Sequence, residues 1–363
     1  MREVITEILN WRNQGKAVAL ATIVKMEGSP LRPLGSKMAV TSDHQIAGSI
    51  TGGCIEGFVY EEAQGVIRSG QPKLLHVGVA KDQSPWDIGL SCGSSLDVLI
   101  ESVNSPLWEE TFPVLPELLG RNPSSAIATV ISGEMMGQKL ILLPGGKTLG
   151  KLGSEKFTRE IVLCMKDQLQ LQAAGATLVV RENESLEVFI DVFVPPSRLI
   201  IVGAVHIAIQ LVTLAKSLGY YVIVIDPRSA FATRERFPDA DELINEWPST
   251  AIEKLIPDEG TSIAVLSHDD KLDNPALKVA LASQARYVGV LGTRRNVAKR
   301  LNELRDLGVS EKDLKRLVAP IGLEIGAVQP DEIALAVLSE IVAAKHGRPL
   351  NLDIQHKSIV PLK

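Results

Sequence analysis

Cysteine, long apolar runs and excess positive charge are scarce in this chain, and each scarcity excludes a class of protein. Three cysteines in 363 residues are too few for a disulfide framework, so we expect a reducing, cytoplasmic environment. Polar side chains interrupt the most apolar run, residues 199–215, and residues 1–16 carry charges throughout, so we expect no membrane span and no signal peptide. The formal net charge of −5 disfavours nucleic-acid binding, which needs a clustered basic surface.

The composition, with 45% hydrophobic and 22% charged residues, is that of a globular protein longer than one ordinary domain. Consecutive prolines at 195–196 stop helix and sheet and mark a boundary. We therefore predict an N-terminal α/β domain of residues 1–195, a second domain of residues 196–347 and a tail of residues 348–363.

Residues 48–57 hold four glycines, a cysteine and a glutamate directly before a predicted helix. Glycines such as Gly52 and Gly53 leave backbone N–H groups uncovered, so a ligand can approach the main chain. At a helix N-terminus, Cys54 favours the thiolate, which attacks electrophiles or ligates metals. Alternatively, Cys54 fills a small apolar hole in a tight turn. Glu56 is either a local acid or base or a partner of the helix dipole.

A second cysteine, Cys92, lies among small residues before a predicted strand of residues 96–101. It shares a ligand site with Cys54, forms a redox pair with it, or simply occupies a turn. The two thiols form no Cys-x-x-Cys motif, which disfavours the redox pair. Cys164 lies among apolar residues of a predicted helix and is interpreted as a core residue.

Residues 126–195 resemble a second, diverged copy of residues 17–106. Three matches carry the comparison: 19–24 with 126–131, 96–101 with 186–191, and Gly48 with Gly150. Residues 151–155 stand where the second copy would carry the cysteine motif. The sequence therefore predicts a duplicated α/β domain in which only the first copy kept its chemistry.

Beyond residue 196 the pattern becomes a regular alternation of strands and helices, typical of a Rossmann-like parallel-sheet domain. The predicted strands are residues 198–202, 221–225, 262–266 and 287–291. The predicted helices are residues 207–218, 275–282, 296–307 and 330–345.

Gly203 occupies the first strand-to-helix turn of this domain, where a dinucleotide fold carries its glycine fingerprint. Asp226 ends the next strand, where a ribose-binding acid belongs. Val205 replaces the glycine that lets a pyrophosphate reach the backbone, so the fingerprint is imperfect. His206 and His268 are either catalytic or ordinary capping and core histidines.

A second candidate site for an anion is formed by Gly292, Thr293, Arg294 and Arg295, between a predicted strand and a predicted helix. Backbone N–H groups, a hydroxyl and two guanidinium groups in this position suit a phosphate.

In this combination and order, the motifs resemble the XdhC/CoxI family of xanthine dehydrogenase accessory factors. The resemblance is carried by residues 48–57, 90–93, 199–208, 232–238, 287–295 and 319–326.

The resemblance implies a chaperone that binds the molybdenum cofactor, as molybdopterin or in its nucleotide form. Such a chaperone protects the cofactor while a cysteine desulfurase supplies the terminal sulfido ligand, and passes it to an apo molybdenum hydroxylase. It implies that Cys54 contacts the cofactor and its molybdenum, that Cys92 assists, and that the second domain holds the phosphate or nucleotide end. We expect a homodimer, because most oligomers of this kind are symmetric.

Two other functions remain open on the sequence. An NAD(P)-dependent oxidoreductase would use Asp226 and the crevice of the second domain for a nicotinamide cofactor. A thiol redox sensor would use Cys54 and Cys92.

Overall fold

The computed structural model describes residues 1, 3–28, 32–53, 55–78, 95–119, 124–172, 174–181 and 184–348. Cys54 and Cys92 lie outside the described residues. The chain divides into two units, Met1–Pro195 and Pro196–Lys363.

The first half of the first unit is a five-stranded antiparallel sheet in the order β3-β2-β1-β5-β4, with one long helix on its face. Its elements are α1 (Ile5–Asn13), β1 (Val18–Glu27), β2 (Lys37–Thr41), β3 (Ile46–Gly48), α2 (Glu56–Ser69), β4 (Lys73–Val77) and β5 (Ser95–Ser102). Helix α2 packs on the sheet through Val59, Ala63 and Val66, which share one face at helical spacing. It ends at Gly70, whose positive φ stops the helix.

The second half of this unit repeats the arrangement in the order β8-β7-β6-β10-β9. Its elements are α3 (Leu115–Leu118), β6 (Ser125–Val130), β7 (Lys139–Leu142), β8 (Thr148–Leu149), α4 (Glu155–Leu171), β9 (Gly175–Arg181) and β10 (Glu184–Phe193). Helix α4 covers its sheet through Phe157, Ile161 and Met165. The order of helices and strands along the chain and the order of strands in the sheet are the same in both halves. The gene duplication stays our proposal, and the shared strand order supports it.

Two ion pairs with buried lysines join the halves crosswise. The ammonium nitrogen of Lys37 lies 2.7 Å from a carboxylate oxygen of Asp191, and that of Lys139 lies 2.6 Å from Glu101. The strand registers put these residues at matching positions: Lys37 faces Thr22 as Lys139 faces Thr129, and Glu101 faces Leu20 as Asp191 faces Ile127. Each lysine therefore contacts the carboxylate that the other half contributes, as in the interface of a twofold-symmetric dimer.

The second unit is a six-stranded parallel sheet in the order β13-β12-β11-β14-β15-β16. Its strands are β11 (Arg198–Val202), β12 (Tyr221–Ile225), β13 (Glu242–Ile244), β14 (Thr261–Val265), β15 (Tyr287–Val290) and β16 (Leu317–Val318). Its helices are α5 (His206–Ser217), α6 (Pro248–Leu255), α7 (Asp270–Ala282), α8 (Arg294–Asp306), α9 (Glu311–Leu314) and α10 (Pro330–Lys345).

Helices cover both faces of this sheet, because alternate residues of its strands point to opposite sides. Helices α5 and α10 pack on the face that contains Leu199 and Val222. Helices α6, α7 and α8 pack on the face that contains Ile200 and Ile223. The order of the strands reverses between β11 and β14, so the predicted Rossmann-like fold is confirmed.

The second unit differs from the sequence-based expectation in two ways. Helix α7 begins at Asp270 and not at Pro275, because the Asp269 carboxylate caps it one turn earlier by accepting a hydrogen bond from the Lys271 N–H at 3.0 Å. The short strands β13 and β16 and the helices α6 and α9 were not predicted. Across the described ranges, every helix is either too short or too polar to cross a membrane.

Candidate functional site

The strand ends that flank three connections of the first sheet lie at one end of that sheet, which we call the loop end: Glu27 and Lys37, Gly48, and Val77 and Ser95. The registers establish this, because Glu27 faces Ser95, Met38 faces Gly48 and Val77 faces Leu96. The described residues that flank Cys54 and those that flank the Cys92 segment therefore lie at the same end of the sheet. In the second half, residues 182–183 replace the long connection 78–94.

Gly48, Gly52 and Gly53 all have positive φ values, of 74°, 86° and 125°. A Cβ atom on Gly48 would lie 2.3 Å from the Lys37 carbonyl oxygen, and one on Gly150 would lie 2.5 Å from that of Lys139. Both halves therefore require a glycine at this position, because a Cβ atom would collide with the backbone of the neighbouring strand. Around Gly52 and Gly53, in contrast, no described atom lies within 4 Å of the point where a Cβ atom would stand, so their surroundings are open.

The carboxylate of Glu56 organises the glycine-rich loop. It accepts hydrogen bonds of 2.7–2.8 Å from the Thr51, Gly52 and Gly53 N–H groups and from the Ser49 and Thr51 hydroxyls. The expectation that these N–H groups are uncovered is therefore wrong. The three N–H groups point to the carboxylate of Glu56, the first residue of α2, as they would to a bound anion.

These hydrogen bonds also fix the charge of Glu56. Partial burial by itself raises the pKa of the carboxyl group, but the donors on Thr51, Ser49 and Gly52 outweigh burial and hold the pKa far below its ordinary value of 4.5. A carboxylate that stays ionised at neutral pH and has its oxygens engaged is poorly suited to act as a general acid. We assign Glu56 the role of positioning the loop.

The second half shows how the same loop is built without a thiol. Four buried residues match at equal spacing: Ile50 with Leu152, Ile55 with Phe157, Val59 with Ile161, and Ala63 with Met165. Glu56 then matches Thr158, whose hydroxyl donates to the Leu152 carbonyl at 2.7 Å. Ser154 caps α4 by accepting from the Phe157 N–H. Hydroxyl groups are thus enough to begin α4, which has Thr158 and not a glutamate at the position that matches Glu56.

Cys164 packs against the core of the second half, as the sequence predicted. Burial raises the pKa of its thiol, with a smaller contribution from nearby Asp167, so the thiol stays protonated.

In the second unit, Gly203 allows the ends of β11 and β14 to approach each other. Its φ is 102°, and a Cβ atom there would lie 2.7 Å from the Ser267 backbone. His206, the first residue of α5, is exposed, and His268, which follows β14, is exposed with a positive φ of 62°. The strained backbone of His268 lies at the carboxyl edge of the sheet, where such folds bind ligands.

Asp226 is fully buried and its oxygens are occupied. They accept hydrogen bonds from the Ala204 N–H at 2.8 Å and from the backbone and guanidinium of Arg228 at 2.7–2.9 Å. Burial raises the pKa of Asp226, but these bonds outweigh it and lower the pKa overall. The geometry gives Asp226 a structural role and does not favour the predicted ribose contact.

The predicted anion site at residues 292–295 is only partly assembled. Arg294 is exposed and pairs with exposed Glu324, and Arg295 is also exposed. Gly292 and Thr293 line a cavity of about 190 Å³, together with Arg300. Sequence reasoning missed Arg300, although its spacing from Thr293 puts the two on one face of α8.

Among the described residues, no three His, Cys, Asp or Glu side chains are grouped to hold a metal ion.

The two units define the chain as an α/β protein with one unit of two antiparallel sheets of matching strand order and one Rossmann-like unit. A family model described as the XdhC and CoxI family matches residues 11–78, and one described as the XdhC Rossmann domain matches residues 199–341. The chain belongs to the XdhC and CoxI family.

Two curated relatives match nearly the whole chain. One is a probable xanthine dehydrogenase subunit of Bacillus subtilis, 27% identical over 335 residues, which are 92% of this chain and 94% of the relative. The other is the molybdenum cofactor insertion chaperone PaoD of Escherichia coli, 26% identical over 332 residues, which are 91% of this chain and 84% of the relative.

A crystal structure described as a xanthine dehydrogenase from Bacillus halodurans has a similar fold. Its TM-score is 0.76 at 25% identity, covering 95% of this chain and 96% of that chain.

Proposed function

We propose that this protein binds the molybdenum cofactor and delivers it to an apo molybdenum hydroxylase of the xanthine dehydrogenase type. It protects the cofactor while a cysteine desulfurase supplies the terminal sulfido ligand. The family membership supports this proposal, as does the likeness to a molybdenum cofactor insertion chaperone over 91% of the chain.

The observation that carries the proposal is the loop held by Glu56. The N–H groups of Gly53 and Ile55, on either side of Cys54, both donate to Glu56, at 2.8 and 3.3 Å. The loop thus fixes the backbone on both sides of the thiol, and the space around Gly52 and Gly53 is open. A thiolate at the start of a helix is a soft ligand that suits a molybdenum centre. We propose Cys54 as the contact to the metal and Cys92 as its helper.

The working environment of the protein follows from this proposal. A chaperone that meets a desulfurase and an apo enzyme operates in the cytoplasm, and we propose that it does so as a homodimer. An NAD(P)-dependent oxidoreductase is less well supported, because the carboxylate of Asp226 is already bound and Val205 stands in the fingerprint turn.

Replacing Cys54 by alanine is expected to weaken cofactor binding at least about tenfold, because the soft ligand of the metal is lost. Anaerobic titration of the purified protein with isolated molybdenum cofactor measures this. The matched control is Cys164→Ala, which removes a thiol packed against the core of the second half and is expected to bind like the wild type. Absence of binding by the wild type would overturn the proposed function.

A further inference from the structure

The cavity in the second unit lies two strands away from the glycine turn that a dinucleotide fold normally uses. It is formed where β15 ends, between the first turns of α7 and α8, and it has a volume of about 190 Å³. Gly203 and Asp226 are not among its lining residues. A ligand in this cavity would therefore not need the imperfect fingerprint or the occupied Asp226 carboxylate.

Apolar and polar residues both line the cavity. Leu291, Val297 and Pro320 contribute apolar surface, and Thr293 and Asn296 contribute a hydroxyl and an amide; the imidazole of His268 and the carboxylate of Asp270 also line it. Ligand pockets combine these features, since apolar walls bury a flat ring while a few polar groups fix its orientation.

Arg300 lies at the cavity wall, where two carboxylates already pair with its charge. Its side chain is only 13% exposed, and its guanidinium donates to Asn274 at 2.8 Å and pairs with Asp270 at 3.1 Å. A second carboxylate, that of Asp273, is 3.5 Å away and completely buried, and one of its oxygens has no hydrogen-bond partner within the fully described stretch 184–348. These contacts hold the guanidinium in one orientation at the cavity wall.

The start of α8 is unusual for a helix. Arg294 and Arg295 occupy its first two positions, Thr293 makes no side-chain cap, and its first turn has no acidic residue. Cations are unfavourable at a helix N-terminus, where the macrodipole and the free N–H groups favour anions. Arg294 already pairs with Glu324, so a bound phosphate would compensate the charge of Arg295 and accept hydrogen bonds from the free N–H groups.

We propose that this cavity binds a nucleoside phosphate, with the heterocyclic ring against Val297 and Pro320 and the phosphate on the first turn of α8. The inference rests on the proposed function, because a nucleotide form of the molybdenum cofactor carries a nucleoside phosphate. Thr293 and Asn296 bind the polar edge of the ligand, and the free N–H groups at the start of α8 bind its phosphate.

The test uses calorimetric titration of the full chain with CMP and GMP, with the free nucleosides and inorganic phosphate as separate probes. At least one nucleotide is expected to bind with a Kd below about 1 mM, at least about tenfold more tightly than the nucleosides or phosphate. Val297→Trp fills the cavity and is expected to weaken nucleotide binding at least about tenfold. The matched control is Ala298→Trp, on the exposed side of the same helix, which is expected to bind like the wild type.

Three results would overturn the inference: no nucleotide binding by the wild type, equal binding of phosphate alone, or normal binding by a folded Val297→Trp variant. The Cys54→Ala variant separates this inference from the proposed function. It is expected to lose affinity for the cofactor's metal end and to keep its affinity for the nucleotide. If cofactor binding proves insensitive to Cys54 while Val297→Trp loses the nucleotide, the proposed role of the thiol fails and the cavity assignment stands.

Discussion

Replacing Lys139 by methionine is expected to lower the free energy of unfolding by about 3–5 kcal/mol, the range measured when one partner of a buried ion pair is removed. Its partner Glu101 is only 6% exposed, so the substitution leaves a carboxylate buried without its counter-charge. The ammonium group of Lys139 also donates a hydrogen bond to the Thr129 hydroxyl at 3.2 Å, and the substitution removes that bond as well. Denaturant unfolding measures the loss.

The double variant Lys139→Met/Glu101→Leu is expected to recover most of that loss. Burial lowers the pKa of Lys139, and the neighbouring Glu101 carboxylate offsets this only in part. The attraction between the two charges therefore does not fully offset the free-energy cost of removing them from water. The control is Lys299→Met, which removes a largely exposed ion pair with Asp270 and is expected to cost at most about 1 kcal/mol. A loss from Lys139→Met no larger than that of the control would show that the crossed pairs do not hold the halves together.

Replacing Glu56 by glutamine is expected to loosen the glycine-rich loop and to weaken cofactor binding at least about tenfold. Glutamine keeps the size of the side chain, but its NH₂ group meets the N–H groups of the loop with a donor where they need an acceptor. Because hydrogen bonds to charged groups contribute about 1.5–3 kcal/mol each, the loss of the charge affects several bonds at once. Amide hydrogen exchange at Thr51, Gly52 and Gly53 is expected to accelerate.

The second half supplies the matched control. Glu155 also lies in the first turn of its helix, but it is exposed and forms a surface ion pair with Arg159, so Glu155→Gln is expected to change neither exchange nor binding. Slow exchange and full cofactor binding in Glu56→Gln would contradict the positioning role.

The pH dependence of the loop follows from the direction of the Glu56 pKa shift. A carboxyl whose pKa is lowered in the folded state stabilises it fully above its unfolded value, and this contribution is lost only as the pH falls through the lower folded value. For Glu56 the loss therefore begins below about pH 4.5 and is completed only in strong acid. Exchange protection of the loop is expected to stay constant from neutral pH down to that value in the wild type.

Local sequence patterns predicted several elements to the residue. Strands Arg198–Val202 and Tyr221–Ile225 and helix Pro330–Lys345 have the predicted bounds. These elements are apolar runs with clear stop signals, or a helix with proline and acidic residues at its start, so their neighbours in sequence are enough to define them. Strand β13 lacks such a signal, because it is stabilised by pairing with β12, which no local pattern records.

The candidate sites likewise combine features that the sequence predicted with features that only the structure shows. The sequence identified the glycine-rich loop, its glutamate and the helix that follows, but not the direction of the loop N–H groups. That direction depends on where the Glu56 carboxylate folds back. The sequence also predicted that Asp226 binds a ribose, whereas in the structure its carboxylate accepts hydrogen bonds from the Ala204 N–H and the Arg228 guanidinium.

The sequence by itself determined the family, the Rossmann-like fold and the position of the thiol loop, because motifs and periodicity are local properties of a chain. Only the tertiary structure decided that Lys37 pairs with Asp191 and Lys139 with Glu101, and that Arg300 lines the cavity. Each of these contacts joins elements far apart along the chain or depends on how a helix is turned against its neighbours. Burial then decides their energies, since the same charges would contribute little at the surface.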